Sequence, residues 1–194
     1  MVPKPGSRAL GIAASDAADR SQLCGAVVRA DRVVDDLVFA TCTTGGSDAT
    51  AACCELWDRL DRPDVQWLLI AGVAPAWFNL VDLTALTDHT DRPVVAVSFE
   101  ESDGLAGPLR EQFDGRELDE RLDIYRRLPP RTPVSVGEEM VFVRAVGIDT
   151  DAAAEIVDAF TPDGSGRPEP LRVARLAARA GREQWVDGRE NTED

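Results

Sequence analysis

The stretch Val65 to Leu83, VQWLLIAGVAPAWFNLVDL, sets the pattern around which the rest of the chain reads. Trp67-Leu68-Leu69-Ile70-Ala71 is an unbroken apolar run with the length and composition of a strand covered on both faces. Gly72 and a turn at Pro75 close it, and Trp77 to Leu83 reads as the start of a helix. In α/β proteins the loop just past the carboxyl end of such a strand is where ligands bind. The loop from Gly72 to Asn79 is therefore the first place to look for chemistry.

Upstream, residues 1–7 form a Pro- and Gly-bearing lead-in expected to be flexible, and Arg8 to Ala14 reads as a first strand ending at Ser15-Asp16. Two β-rich runs, Leu23 to Ala30 and Val33 to Thr43, are joined by Asp31-Arg32 and suggest a hairpin. A turn through Gly45-Gly46 leads to a helix capped by Ser47 or Asp48 and running to about Leu60, with Ala52, Leu56 and Leu60 at helical spacing. Leu80 to His89 predicts a short helix, and Val94 to Phe99 a short buried strand. Glu100 to Arg127 reads as two helices broken near Asp114-Gly115, and Leu128 to Pro133 as an extended linker. Met140 to Val146 alternates as a last strand. Helices follow from Asp149 or Thr150 to Phe160 and from Pro168 to Ala180, and the polar tail from Arg182 is expected to be loose.

An antiparallel three-strand start that feeds parallel strands through helices is a ribonuclease-H-like pattern, and a plain doubly wound sheet would alternate from the first strand. The expectation is one α/β domain over residues 8–181, a mixed sheet with helices on both faces, followed by a tail over 182–194.

Composition narrows the setting. At 194 residues the chain can bury a full core without disulfides or metal. No apolar run approaches the roughly 20 residues of a membrane span, and the first dozen residues lack an apolar signal core, so a cytoplasmic location is expected. The net charge is -14, with Lys4 the only lysine among 21 basic residues against 35 acidic ones. An acidic, lysine-poor surface suits a halophilic cytoplasm, where the Debye length falls to about 3 Å at 1 M salt. Acidity ordinarily argues against nucleic acid, but counterion release contributes little in such salt, so charge alone does not decide the partner. Cys24, Cys42, Cys53 and Cys54 form no CxxC pair and have no zinc spacing with His89, the single histidine. They are expected to be reduced, mostly buried thiols.

The marks LGI (Leu10–Ile12), SDAT (Ser47–Thr50), AWFNLVDL (Ala76–Leu83), RPVVAVS (Arg92–Ser98) and PEPLRVARLAAR (Pro168–Arg179) occur in order along the chain. In these the sequence resembles an archaeal family, domain of unknown function ninety-nine, related to endonuclease V (endonuclease-dU-like), over about Arg8 to Ala180. The resemblance implies a metal-dependent nuclease of DNA repair acting on deaminated bases such as uracil or hypoxanthine. It implies carboxylates on adjacent strands holding Mg²⁺ or Mn²⁺, which would activate water and stabilise the leaving oxygen of a phosphodiester. In the family those carboxylates stand in a GIDD-like motif after the first strand and an LDG-like motif at the end of the central one.

Here the first motif reads Gly11-Ile12-Ala13-Ala14 and the second Leu69-Ile70-Ala71-Gly72, so Ala13, Ala14 and Ala71 stand where acids are expected. Alanine cannot ligate a hard cation. The candidate substitutes are Asp16 and Asp82, as metal ligands and catalytic carboxylates, and Asp48 beside them; each also reads as a turn or capping residue.

The candidate binding cleft comprises Gly72, Trp77, Phe78, Asn79, Arg144 and Arg172. Trp77 and Phe78 could stack on an extruded base or simply cover the sheet. Asn79 either pins the loop or contacts a ligand. Arg144, Arg172 and Arg175 could take phosphate or pair with acids, since both use the same bidentate geometry. His89 reads as a surface residue at a helix C-terminus. There is no GxSxG, P-loop or GxGxxG motif, and a nucleophile triad would have to recruit His89. Two functions remain: an endonuclease-V-like enzyme rebuilt on substitute acids, or an inactive descendant whose cleft binds nucleic acid or protein.

Overall fold

The computed structural model describes residues 3–190, with side chains as far as Gln184. β1 (Arg8–Asp16), β2 (Arg20–Arg29) and β3 (Val34–Thr43) form an antiparallel meander. β4 (Val65–Ala71) lies parallel to β1 on its other side, and β5 (Val94–Ser98) lies parallel to β4. β7 (Glu139–Val146) runs antiparallel to β5, and β6 (Thr132–Val136) closes the far edge. The seven strands stand in the order β3-β2-β1-β4-β5-β7-β6.

Strand alternation sends neighbouring residues to opposite faces, and the two faces are covered by different helices. Leu10, Ile12, Leu68 and Ile70 pack with α1 (Ala49–Leu60) and α2 (Leu83–Thr90). Trp67, Leu69, Val95 and Val97 pack with α5 (Thr150–Ala159) and α6 (Glu169–Glu190), chiefly through Ile156, Val157, Phe160 and Leu171. Helices therefore cover both faces, as the element order predicts. α3 (Ala106–Gln112) and α4 (Gly115–Arg127) bury Leu109 and Leu122 against Leu80 beside the loops after β4 and β5.

α6 approaches β1 so closely that a Cβ on Gly11 would lie 2.2 Å from the Pro170 carbonyl carbon. The LGI and PEPL marks, far apart in sequence, are thus one contact. Only glycine leaves room for the helix backbone there.

Four boundaries differ from the sequence reading. The segment after Pro75 is not a helix start: Trp77 and Phe78 both have left-handed backbones, φ 41° and 54°, and Ala76 bridges Asn79. The helix begins only at Leu83, where the Asp82 carboxylate accepts from the Thr84 and Ala85 amides. The presumed linker carries a strand from Thr132; Pro133 is tolerated because β6 is an edge strand. α6 continues past Ala180 to Glu190, through residues that lack apolar periodicity, and residues 191–194 of the expected tail lie outside the described residues. At the end of the lead-in, the Ser7 carbonyl accepts from the Ala30 amide and that of Pro5 from the Asp31 amide, and residues 1–2 lie outside the described residues.

Candidate functional site

The parallel register of β1 and β4 places Ile12 opposite Ile70, so Ala13 and Ala71 follow side by side. Both face α6. Ala13 is fully buried with Ala26, Val28 and Ala174, and half-buried Ala71 packs against the same cluster. Ala14 points the other way, into the core beneath α1 and α2. Of the three expected acid positions, only Ala13 and Ala71 share a face. Methyl groups under a helix occupy that place.

The candidate replacement acids are each engaged elsewhere. Asp48 stands at the N-terminal boundary of α1, yet its side chain caps nothing. It accepts from the Thr43 amide at 3.0 Å, the Thr43 hydroxyl at 2.9 Å and Asn79 Nδ2 at 2.7 Å. Burial pushes its carboxyl up, but the bonds from Asn79 and Thr43 outweigh this and leave it below the ordinary range. Asp82 caps α2 and accepts from Arg127 at 2.7 Å. Burial raises it, and Arg127 with the Ala85 amide more than offsets the rise. Asp16 accepts from the Ser21 hydroxyl at 2.8 Å. Among the described residues, no group of three or more His, Cys, Asp or Glu is placed to hold a metal.

Asn79 is fully buried and joins the loops that follow β3 and β4. Its Oδ1 accepts from the Ala49 amide at 2.9 Å, and its Nδ2 donates to the Thr43 carbonyl at 2.8 Å as well as to Asp48. The first amide of α1 is therefore capped from another loop rather than by Ser47 or Asp48. Beside it, Trp77, Phe78 and Phe113 form a ring cluster with centroids 5.1 to 5.9 Å apart. Arg121 stacks 3.9 Å over Phe113 and donates to the carbonyls of Gly45 and Gly46. The Trp77 ring lies where any side chain on Gly45 would sit, and is 49% exposed.

A cleft of about 820 Å³ opens at the carboxyl ends of β4 and β5, and Ala71, Gly72, Arg144 and Arg172 line it together with Arg131, Arg167 and Arg175. Trp77, Phe78 and Asn79 do not line this cleft. Arg172 makes a bidentate pair with Glu169, both bonds 2.7 Å. Arg131, Arg144 and Arg175 bond to neutral acceptors. Arg131 donates to the Ser98 hydroxyl and the Glu100 and Ser102 carbonyls and lies 3.8 Å over the Phe142 ring. Arg144 donates to the Pro129 carbonyl and to the Tyr125 hydroxyl. Arg175 donates to the Ala14 carbonyl at 3.0 Å, and Arg167 stacks 4.2 Å over Phe99.

The sequence points to Arg144, Arg172 and Arg175 but not to Arg131, Arg167 or Tyr125. The available signal was local composition, and only for Arg131, which in LPPRTP has no acid within two residues in an acid-rich chain.

Among the described residues the cysteines are held as thiols, Cys54, partly exposed, included, since burial raises it too. Cys24, Cys42 and Cys53 are buried, and burial pushes the thiols of Cys24 and Cys42 up to about 12, far from the thiolate. His89 lies at the last turn of α2, partly exposed, with Nε2 2.8 Å from Asp58.

A mixed sheet of this order with helices on both faces defines the ribonuclease-H-like class. Comparison with known proteins places the chain within it. The profile of the endonuclease dU family matches residues 5–181, and the chain belongs to that family. It is 34% identical over 166 residues to the UPF0215 protein PAE0952 of Pyrobaculum aerophilum, covering 84% of this chain and 87% of that one. It is 32% identical over 164 residues to TK2033 of Thermococcus kodakarensis, with 84% and 82% covered. Among solved structures, a protein of unknown function from Archaeoglobus fulgidus superposes with TM-score 0.77 at 24% identity, over 89% of this chain and 96% of that one. Endonuclease V of Streptomyces avermitilis gives TM-score 0.63 at 16% identity, over 95% and 85%. Endonuclease V of Ciona intestinalis, solved with inosine-containing DNA, gives 0.59 at 13%, over 94% and 92%. No helix among the described residues is long and apolar enough to cross a membrane.

Proposed function

We propose that this chain is a nucleic-acid-binding member of the endonuclease dU family that does not hydrolyse phosphodiesters through a metal. The pairing of Ala13 with Ala71 carries the reading. Side by side on adjacent parallel strands, they offer methyl groups where two-carboxylate chemistry needs hard oxygen ligands. Mg²⁺ and Mn²⁺ do not fit this donor set. Asp16, Asp48 and Asp82 do not repair it, because Asp16 accepts from Ser21, Asp48 serves the β3–α1 loop, Asp82 caps α2 while pairing Arg127, and no three potential ligands converge among the described residues.

Binding is supported by the arginine-lined cleft at the carboxyl ends of the parallel strands, and by the DNA bound to the Ciona relative of the fold. Uracil- and hypoxanthine-containing DNA are the substrates to try first, given the family. In this reading Trp77, half exposed beside Phe78, is the side chain available to stack on an unpaired base.

The test is a nicking assay on uracil- and hypoxanthine-containing duplexes in molar KCl with Mg²⁺ or Mn²⁺, alongside binding of the same duplexes. The natural protein is expected to bind without cutting. Metal-dependent cutting by the natural protein, abolished by Asp16→Ala or Asp82→Ala, would establish a rebuilt active site instead. Cutting gained by the combined Ala13→Asp and Ala71→Asp variant would show that only the ligands were lost.

A further inference from the structure

We propose that the cleft is a metal-independent phosphate site, in which Arg131, Arg144, Arg167 and Arg175 supply the positive charge and Tyr125 an additional hydrogen-bond donor. The proposal rests on the nucleic-acid reading only for the identity of the chain that carries the phosphate.

Charge placement is the first observation. In a chain with 35 acidic residues against 21 basic ones, arginines find carboxylates easily, and Arg172 does so through Glu169. Arg131, Arg144, Arg167 and Arg175 line the same cleft, and none of the four makes an ion pair among the described residues. The hydrogen bonds of Arg131, Arg144 and Arg175 go to carbonyls and hydroxyls, which fix the guanidinium planes without cancelling the charge. Arg167 is held by stacking on Phe99 alone, so its N–H groups are free to turn toward a ligand. Arg144 is half-buried, and its affinity for its own proton is lowered first by that burial and further by the charge of Arg131. An anion set between the two removes that repulsion.

Tyr125 is the second observation. Its hydroxyl accepts from the Leu105 amide at 3.0 Å and from Arg144 Nη2 at 3.3 Å. With both acceptor positions used, its own proton remains to be donated, and no acceptor for it is found among the described residues. A phenol held in this way at the wall of a cationic cleft donates to an incoming oxygen anion. The volume, about 820 Å³, suits a nucleotide-sized group. Phosphate oxygens on several guanidiniums need no divalent ion to neutralise them. An acidic protein lacking metal ligands thereby retains a means of holding a phosphodiester.

The test is fluorescence anisotropy of a labelled single-stranded oligonucleotide with excess chelator, beside calorimetric titration of inorganic pyrophosphate under the same conditions. Chelation should change the affinity less than about twofold, since no ion is required. Arg167→Gln, on the surface, and Arg144→Gln should each weaken binding about tenfold, the scale of one charged hydrogen bond. Tyr125→Phe should weaken it about threefold or more, whereas Arg172→Gln, whose charge Glu169 already holds, should have the smallest effect. Oligonucleotide binding that needs Mg²⁺, or that is indifferent to Arg131→Gln and Arg167→Gln, would overturn this site while leaving the nucleic-acid reading intact. Pyrophosphate binding that Arg167→Gln abolishes, with no oligonucleotide binding, would uphold the site and overturn that reading. Binding of neither would overturn both.

Discussion

Asn79 donates its side-chain amide to the Asp48 carboxylate at 2.7 Å, and the oxygen of the same amide takes the first backbone N–H of α1 at 2.9 Å. One fully buried side chain thus ties the loop after β3 to the loop after β4, with the Thr43 carbonyl as its third partner. Asn79→Ala would strand a buried amide hydrogen and a carbonyl. The expected loss is about 2–4 kcal/mol, from roughly 1–3 kcal/mol for each unsatisfied group. Urea unfolding in molar KCl measures it. Asn79→Asp should do at least as badly at neutral pH, because it sets a second carboxylate against Asp48, and should recover partly in acid. A loss below about 1 kcal/mol for Asn79→Ala would mean that the two loops are held by other contacts.

Acid should weaken the same end of the sheet. Asp48 and Asp82 both have folded-state carboxyls below their ordinary value, since their hydrogen bonds outweigh the effect of burial. For a depressed acid the stabilisation is complete above the unfolded pKa, about 3.9, and is lost as pH falls through the folded value. The melting temperature should therefore be nearly flat from about pH 5 to 7 and fall below about pH 4. Asp82→Asn keeps a capping oxygen but loses the charge that Arg127 meets, so its acid slope should be shallower. An unchanged slope would assign the acid response to other carboxylates.

Much of the fold was legible because its strands are either wholly apolar or regularly alternating. The run at Trp67 to Ala71, the meander and the order of the helices all follow from periodicity. The segment from Trp77 to Leu80 was not legible, because its conformation is set by partners remote in sequence. Asn79 bonds to Thr43, Asp48 and Ala49, Trp77 packs over Gly45, and these contacts hold two aromatic residues in a left-handed backbone that local propensity disfavours. β6 was hidden by Pro133, which an edge position tolerates. The absence of acids at Ala13, Ala14 and Ala71 was plain from sequence, but only the structure separates Ala14 from the other two. The cleft was half visible: Arg131, Arg167 and Tyr125 come from three separate segments that only the folded sheet brings together.

Ala13→Asp asks what the buried alanine does now. Its methyl is fully enclosed by Ala26, Val28 and Ala174, so a carboxylate there would be buried without a partner. A loss of about 3 kcal/mol or more is expected, the scale of an uncompensated buried charge. Ala71→Asp, on a half-buried position beside the cleft, should cost less. If the two carboxylates together recreate a cation site, millimolar Mn²⁺ should raise the melting temperature of the double variant and not of the natural protein, because a ligand that binds only the folded state stabilises it. A double variant as stable as the natural protein without metal would show that α6 moves aside easily there.

Trp77 distinguishes a stacking surface from a cover. Its backbone is left-handed at φ 41°, a conformation that costs a residue with a side chain about 1–2 kcal/mol, and its ring is half exposed while touching Phe78 and Phe113. Trp77→Ala keeps the strain and loses the contacts, whereas Trp77→Gly loses both, so the glycine variant should be the more stable of the two by about 1 kcal/mol. Base stacking is worth about 1–3 kcal/mol. If Trp77 stacks on a base, both variants should weaken oligonucleotide binding by about five- to 150-fold, to the same extent despite their different stabilities. If it only covers the loops, affinity will follow stability or not change at all. Measured on one pair of proteins, the two quantities separate the roles, because backbone strain acts on folding and the ring alone can act on the ligand.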